Sequence, residues 1–270
     1  MAKIAINGFG RIGRAFFKLA LTKPELDIVA INDLGDLENL AYLLKYDSAY
    51  GRFDKDISAA NGKLVVDGKE YQFLQEKDVT KLPWGQLGVD IVVESTGVFE
   101  SFEKASVHKQ AGAKRVVLTA PAKDDDSADA KTVLMGVNEE DLKTCTISSN
   151  GSCTTNSASP ILQILAETIG VKKAFLNTTH GYTATQNLVD GPVKGHDFRR
   201  GRAAGVNIVP SYTGAAIAVG RAVKAVEGKF EGTSMRVPII TGSLSAITFV
   251  SSNPTTAEEI NKILRDAADQ

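Results

Sequence analysis

The chain predicts an α/β protein in two parts: a doubly wound parallel sheet, followed by an α+β region whose sheet is mostly antiparallel. Three observations lead there. Short apolar runs alternate with helical periodicity through the first half, which implies parallel pairing through right-handed crossovers. A glycine cluster, Gly8-Phe9-Gly10-Arg11-Ile12-Gly13, stands between the first strand and the first helix. After about residue 150 helices become scarce, and strand-like runs come with long connections. The boundary therefore falls near 150, dividing 1–150 from 151–270.

Taken in order, Lys3 to Asn7 (KIAIN) is a short apolar run ended by glycine and reads as a buried strand. Arg11 to Lys23 carries Ile12, Phe16, Phe17, Leu19 and Ala20 at helical spacing. Leu26 to Asn32, Ile91 to Val93 and Arg115 to Thr119 are further strands, with helical stretches at Leu37 to Leu44 and Ser101 to Gln110. Ser58 to Phe73 holds an Asp67-Gly68 turn between β-prone runs, which predicts a hairpin added antiparallel at the sheet edge. In the second part a helix spans Cys153 to Ile169. Strands follow at Lys173 to Thr179, Val206 to Pro210, Ser234 to Pro238 and Leu244 to Val250. Near the end, Thr255 and Thr256 precede Glu258 and Glu259 at capping-box spacing, and Ile260, Ile263, Leu264 and Ala267 form an apolar stripe. That last helix is expected to run to Gln270 without a glycine cap.

The balance of 43 % hydrophobic and 23 % charged residues is that of a folded soluble protein. A formal net charge of −1 gives no global attraction to nucleic acid or an acidic membrane, so neither is expected as a partner. The two cysteines, Cys145 and Cys153, fit neither a zinc ligand pattern nor a redox pair, so no metal site is expected. With no disulfide framework, no signal-peptide layout and no apolar stretch of about 18 residues, the expected place is the cytoplasm.

A lone G-x-G-x-x-G match is weak, but here it follows a strand, opens a helix and is trailed by a second strand ending at Asp33. That context predicts a Rossmann-type dinucleotide site. Gly8 permits the tight turn, Gly10 lets backbone approach the pyrophosphate, and Gly13 lets helix pack on strand. Amides near Arg11 and Ile12 meet the phosphates. Asp33 would bind the adenosine ribose and repel a 2′-phosphate, which favours NAD over NADP.

Cys153 lies between an apolar strand and a helix, among small hydrophilic residues. A cysteine at a helix amino end feels the positive end of the dipole, which favours thiolate. His180, ending a strand-like run, is the candidate base. His108 lies in a polar helical stretch and His196 in a charged loop, so both are expected to be solvated. Cys145 is expected to be a small core residue. Ser152, Thr154 and Thr155 bring hydroxyls beside the thiol, Thr213-Gly214 opens another helix, and Arg236 stands alone in an apolar run. Arginine in such a setting suits bidentate anion binding. The run Arg199-Arg200-Gly201-Arg202 is either an anion site, a solvated loop or an oligomer contact.

Together these residues resemble type I phosphorylating glyceraldehyde-3-phosphate dehydrogenase over essentially the whole chain. The motifs are NGFGRIGR (7–14), IND (31–33), KYDSAYGRF (45–53) and ESTGVF (94–99), then SNGSCTTN (149–156), TTHGYTATQ (178–186), RRGRAA (199–204) and SYTGAA (211–216). The resemblance implies Cys153 as nucleophile and His180 as base and later acid. It implies NAD contacts at Arg11, Ile12, Asp33, Thr96 and Thr119, with Lys77 where the family often has arginine. It further implies Thr183 and Arg236 at the substrate phosphate, and Ser152, Thr154, Thr213 and Gly214 at the attacking inorganic phosphate, with Arg200 close to both anions. A homotetramer is implied as well.

The chain also departs from the family pattern. Ser157 replaces a frequent second cysteine, without consequence for the chemistry, and Ile217 stands where lysine is usual. The loop from Val189 to Arg200 varies in the family and reaches a neighbouring subunit there. Members usually continue beyond Gln270 with a tail that supplies an asparagine to the nicotinamide carboxamide. The chain is therefore expected to be a fragment with little turnover. The rival readings are erythrose-4-phosphate dehydrogenase, which hydrolyses the thioester, and a non-catalytic NAD-binding remnant.

Overall fold

The computed structural model describes residues Met1 to Asp269. Gln270, where the last helix was expected to stop, lies outside the described residues. The chain forms two compact units. One comprises Met1–Thr132 and Glu140–Asn150; the other comprises Val133–Glu139 and the chain from Gly151 onward.

The first unit runs β1 (Ala2–Asn7), α1 (Arg11–Ala20), β2 (Leu26–Asn32), α2 (Leu37–Lys45), and the short β3 (Tyr46–Asp47) and β4 (Gly51–Arg52). It continues with β5 (Ile57–Ala60), β6 (Lys63–Val66), β7 (Lys69–Leu74), α3 (Trp84–Leu87), β8 (Ile91–Glu94), α4 (Phe102–Ala105), α5 (Val107–Gln110), β9 (Arg115–Leu118), β10 (Ala130–Thr132) and β11 (Ile147–Ser149). The nine-stranded sheet has the order β10-β11-β9-β8-β1-β2-β7-β6-β5. Pairing is parallel from β10 through β7 and antiparallel for β7-β6 and β6-β5. The predicted edge hairpin is present, turned by Asp67 and Gly68 at φ 48° and 78°. It belongs to a longer meander, since β5 pairs with β6 and β7 joins the parallel sheet beside β2.

Both faces of this sheet are covered, as a parallel sheet requires. Alternate residues of β1 and β2 serve opposite cores: Ile6 and Ile31 meet Phe9, Phe17 and Leu44, whereas Ala5 and Ala30 meet Trp84, Val79 and Val92. α1 is shorter than expected and turns to bury Gly13, Phe17 and Ala20, leaving Ile12 and Leu19 54 % and 65 % exposed. Pro24 and the turn before it prevent its extension to Lys23. The helical stretch at 101–110 is split in two at Ser106. His108, expected in solvent, is instead fully buried. Its neighbours in sequence are polar, but the short α5 turns this one residue inward beneath Trp84 and Phe99.

The second unit runs α6 (Cys153–Thr168), β12 (Val171–Gly181), β13 (Val209–Ser211), α7 (Ala215–Ala222), β14 (Phe230–Val237), β15 (Ser243–Ser251) and α8 (Ala257–Ala268). Its four-stranded sheet has the order β13-β14-β12-β15. β12 pairs antiparallel with β15, and β13 with β14, while β12 and β14 are parallel. Leu162, Leu165 and Val219 of the helices pack on Leu176 and Phe230 of one sheet face, with Val137 from the Val133–Glu139 segment against the same core. α8 starts at the cap predicted for it, Thr256 accepting from Glu259 N. Its stripe is half-buried, with Ile260 and Ile263 against that core. The other sheet face is uncovered in this chain, leaving Phe175, Leu244 and Val250 exposed.

Candidate functional site

In the first unit the sheet order reverses at β1 and β8, where open α/β sheets leave a crevice beyond the strand ends. The glycines there have distinct structural reasons. A Cβ on Gly8 (φ +95°) would stand 2.6 Å from Thr96 N, so the turns after β1 and β8 touch backbone to backbone. A Cβ on Gly13 would stand 2.0 Å from the Gly8 carbonyl oxygen, so α1 rests directly on the turn. At Gly10 an added Cβ meets nothing within 4 Å. Packing does not require glycine at this point, and the open space lies before the first amides of α1. The first intrahelical bond is Arg14 N to Gly10 O, so the amides of Arg11 and Ile12 precede the helical ladder.

Asp33 closes the arrangement. Its Oδ2 accepts from Phe9 N at 2.5 Å and its Oδ1 from Gly35 N at 2.7 Å, which ties the glycine turn to the end of β2. Thr96 is exposed beside Gly8, and Thr119 is half-buried, donating by both N and Oγ1 to the Glu94 carbonyl at 3.0 Å. Lys77 is exposed just after Glu76, whose amide donates to Asn32 Oδ1. An open glycine before free helix amides, with a carboxylate beyond, fits a dinucleotide. Those residues would hold its pyrophosphate and ribose.

In the second unit α6 begins at a capping box. The Ser152 hydroxyl accepts from Thr155 N and the Thr155 hydroxyl accepts from Ser152 N, each at 3.0 Å. Cys153 is thereby fixed as the first helical residue and is exposed, with Sγ 3.1 Å from His180 Nε2. The hydrogen bond with His180 pulls the thiol down to about 7 despite the opposing effect of burial, and the His180 charge and the Thr154 hydroxyl and amide assist. His180 is raised by the same bond, while burial and the charge of Arg236 oppose the rise. Cys145 behaves oppositely: it is buried, and burial pushes its thiol up.

The parallel register of β12 and β14 sets His180 directly beside Arg236. His180 Nδ1 faces a donor, Arg236 Nη1 at 2.8 Å, and an acceptor, the Gly181 carbonyl oxygen at 2.7 Å. The ring can therefore take a proton on Nδ1 or release it. Arg236 is itself pushed down from its ordinary value, mainly by burial and next by the charge of Arg200. Arg200 Nη1 donates to Thr185 Oγ1 and Nη2 to Ser211 Oγ, both at 3.0 Å, and Nε to Asp197 at 3.3 Å. Thr185 in turn meets Thr183 at 3.0 Å. Thr213 Oγ1 accepts from Ala215 N at the start of α7, next to Gly214. Thr154 is buried, its hydroxyl 4.0 Å from Cys153 Sγ, and the Ser152 hydroxyl is engaged by the helix cap.

The second unit thus brings Cys153, His180 and Arg236 into one contact chain, with Arg200, Thr185 and Thr183 in another. The cross-strand partnership of His180 with Arg236 was not evident from spacing, because the parallel pairing of residues 56 positions apart leaves no local mark. Nor was the buried hydrogen bonding of His108 with Glu94 and Trp84. Among the described residues, no group of three His, Cys, Asp or Glu side chains is placed to hold a metal ion. No described helix is long and apolar enough to cross a membrane.

Residues 2–102 match the family profile "Glyceraldehyde 3-phosphate dehydrogenase, NAD binding domain", and residues 152–270 match "Glyceraldehyde 3-phosphate dehydrogenase, C-terminal domain". The chain is 48 % identical over 271 aligned residues to a glyceraldehyde-3-phosphate dehydrogenase of Clostridium pasteurianum, covering 100 % of this chain and 80 % of that protein. Identity is 46 % to the enzyme of that name from Geobacillus stearothermophilus, over 99 % of this chain and 78 % of the relative. It is 45 % to glyceraldehyde-3-phosphate dehydrogenase 1 of Bacillus subtilis, over 99 % and 78 %. With the fold, the glycine crevice and the thiol–imidazole contact in place, these likenesses over the full chain show that it belongs to the glyceraldehyde-3-phosphate dehydrogenase family.

Proposed function

We propose that this chain carries out the NAD-dependent phosphorylating oxidation of glyceraldehyde 3-phosphate to 1,3-bisphosphoglycerate through a thioester on Cys153. The observation that carries this reading is the Cys153 Sγ to His180 Nε2 contact of 3.1 Å at the amino end of α6. In this reading residues 1–150 hold the cofactor and residues 151–270 carry the chemistry. Glyceraldehyde 3-phosphate and inorganic phosphate are the substrates, and the setting is the cytoplasm. The uncovered apolar face bearing Phe175, Leu244 and Val250 supports assembly with further copies, as a homotetramer.

The Cys153 thiolate adds to the aldehyde carbon, and the oxygen that gains charge is met by His180 Nε2–H and the Cys153 amide. His180 then takes the hydroxyl proton as the carbon is oxidised. NAD, when bound, supplies the hydride acceptor. The acyl group remains on Cys153 as a thioester. Inorganic phosphate attacks its carbonyl carbon, and the thiolate leaves with the bonding electron pair, restoring the pair with His180. Thr183 and Arg236 bind the substrate phosphate; Ser152, Thr154, Thr213 and Gly214 bind the attacking phosphate, with Arg200 serving both.

A single-turnover experiment tests this. With NAD and glyceraldehyde 3-phosphate but no inorganic phosphate, mass spectrometry should find a phosphoglyceroyl adduct on Cys153 with equimolar NADH. Added phosphate should then release it as an acyl phosphate. Release by water at an unchanged rate would point to the hydrolytic erythrose-4-phosphate type. An adduct on Cys145, or none, would overturn the assignment.

A further inference from the structure

The carboxyl ends of adjacent strands in the first unit deliver buried polar side chains to one row. Asn32 of β2 is in register with Asn7 of β1, and Asn7 with Glu94 of β8. None of them is more than 4 % exposed. Burying such groups is unfavourable unless each is hydrogen-bonded, and here they satisfy one another. Asn32 Nδ2 donates to Asn7 Oδ1 at 2.7 Å, and Asn7 Nδ2 donates to Glu94 Oε2 at 2.6 Å. His108 Nε2 lies 2.9 Å from the same Glu94 oxygen, and Trp84 Nε1 donates to His108 Nδ1 at 3.0 Å. An indole N–H can only donate, so Nδ1 acts as acceptor and the ring proton sits on Nε2, facing the carboxylate. Trp84 and His108 are both 0 % exposed.

The row ends at the cofactor crevice. Glu94 uses its second oxygen there: Oε1 accepts from Thr96 N at 2.8 Å and from the Thr96 hydroxyl. Asn32 Oδ1 accepts from Glu76 N at 2.9 Å, one residue before Lys77, and Asn32 itself directly precedes Asp33. Residues proposed to contact NAD are thus tied from behind to one buried network.

We infer that His108 and Glu94 are positioning residues for the dinucleotide, His108 locking one oxygen of Glu94 so that the other aims Thr96 into the crevice. The inference rests on the cofactor reading given above. Without the His108 donor, Oε2 loses one of its two hydrogen bonds and keeps only that of Asn7 Nδ2, so the carboxylate is held less firmly and the acceptor of Thr96 is less well fixed. No part of this chain of contacts needs His108 to touch the ligand.

The test is NAD affinity by titration calorimetry, for the wild type, His108→Phe, Thr96→Val and the double variant. His108→Phe should weaken binding about tenfold, and the double variant should be scarcely weaker than the worse single. His108→Gln, whose amide can accept from Trp84 and donate to Glu94, should restore affinity to within about twofold. If His108→Phe fails to fold, Trp84→Phe removes the indole donor, together with part of the buried ring volume, while leaving His108 in place, and NAD affinity should fall about threefold. Unchanged affinity in the foldable variant, or fully additive losses in the double variant, would overturn the positioning role. Absence of NAD binding by the wild type would instead overturn the cofactor reading, and this inference with it.

Discussion

At the scale of single residues, the two thiols make opposite predictions from one chemistry. Cys153 is solvent-reachable, with its thiol pulled down to about 7 by His180, whereas burial pushes Cys145 up. At neutral pH Cys153 then holds about tenfold more thiolate than an ordinary cysteine. Iodoacetamide should label Cys153 first, with a rate that rises through a midpoint at about pH 7. In His180→Asn that midpoint should move up toward about 8.5; an unmoved midpoint would remove His180 from the pair. The reactive cysteine was legible in sequence, because small hydrophilic residues flank Cys153 where a strand meets a helix; Cys145 stands between Thr144 and Thr146, and its burial is set by the fold. The same criterion failed for His108. A four-residue helix buries a single face position irrespective of its neighbours, and local polarity carries no information about that.

Single elements explain why the reactive residues stand where they do. α6 starts at Cys153 because Ser152 and Thr155 exchange hydrogen bonds before the first turn. Ser152→Ala should lower stability by about 1 kcal/mol, read as a shifted urea midpoint with unchanged slope. In the first unit Gly13→Ala places a methyl 2.0 Å from the Gly8 carbonyl oxygen, so α1 must move off the glycine turn. NAD binding should fall sharply in that variant, while Gly10→Ala, with open space around its Cβ, should fold normally and lose affinity only by obstructing the phosphates. Equal affinity of both variants for NAD would contradict the distinct parts given to these glycines. Most strands and helices were readable from periodicity. Among the exceptions were the end of α1, set by Pro24, the break of the 101–110 stretch at Ser106, short elements such as α3 and β10, and the parallel insertion of β7, which no hairpin signal encodes.

The molecule as a whole distributes its carboxylates in partnered positions. Asp67 is held below the ordinary carboxylate range by Lys55, Asp78 by Thr80, Asp90 by Lys114 and Asp129 by Thr146. In the second unit the Ala203 amide does the same for Asp190 and Arg199 for Asp197. A carboxylate lowered in the folded state stabilises it above the unfolded value of about 3.9. That contribution is lost as pH falls through the folded value. The urea midpoint should therefore be nearly flat from neutrality to about pH 5 and decline below about pH 4, more gently in 0.5 M salt than in dilute buffer. A decline beginning near pH 6 would assign acid sensitivity to histidine instead. Fold class and two-part layout were legible because they depend on alternation along the chain. The cross-strand partners were not, because register is settled only when sheets assemble.

That register carries a consequence for how this chain can change. His180 and Arg236 meet because β12 and β14 align residue for residue from Ala174 with Phe230 to Gly181 with Val237. Substitutions on the outward face leave the alignment intact. Insertion or deletion of one residue within β14 turns its following side chains to the opposite face, removing the arginine from the imidazole without touching either residue. Length variation in this strand is thus barred where residue type on its outward face can vary, so insertions are expected in the loops around β14 instead.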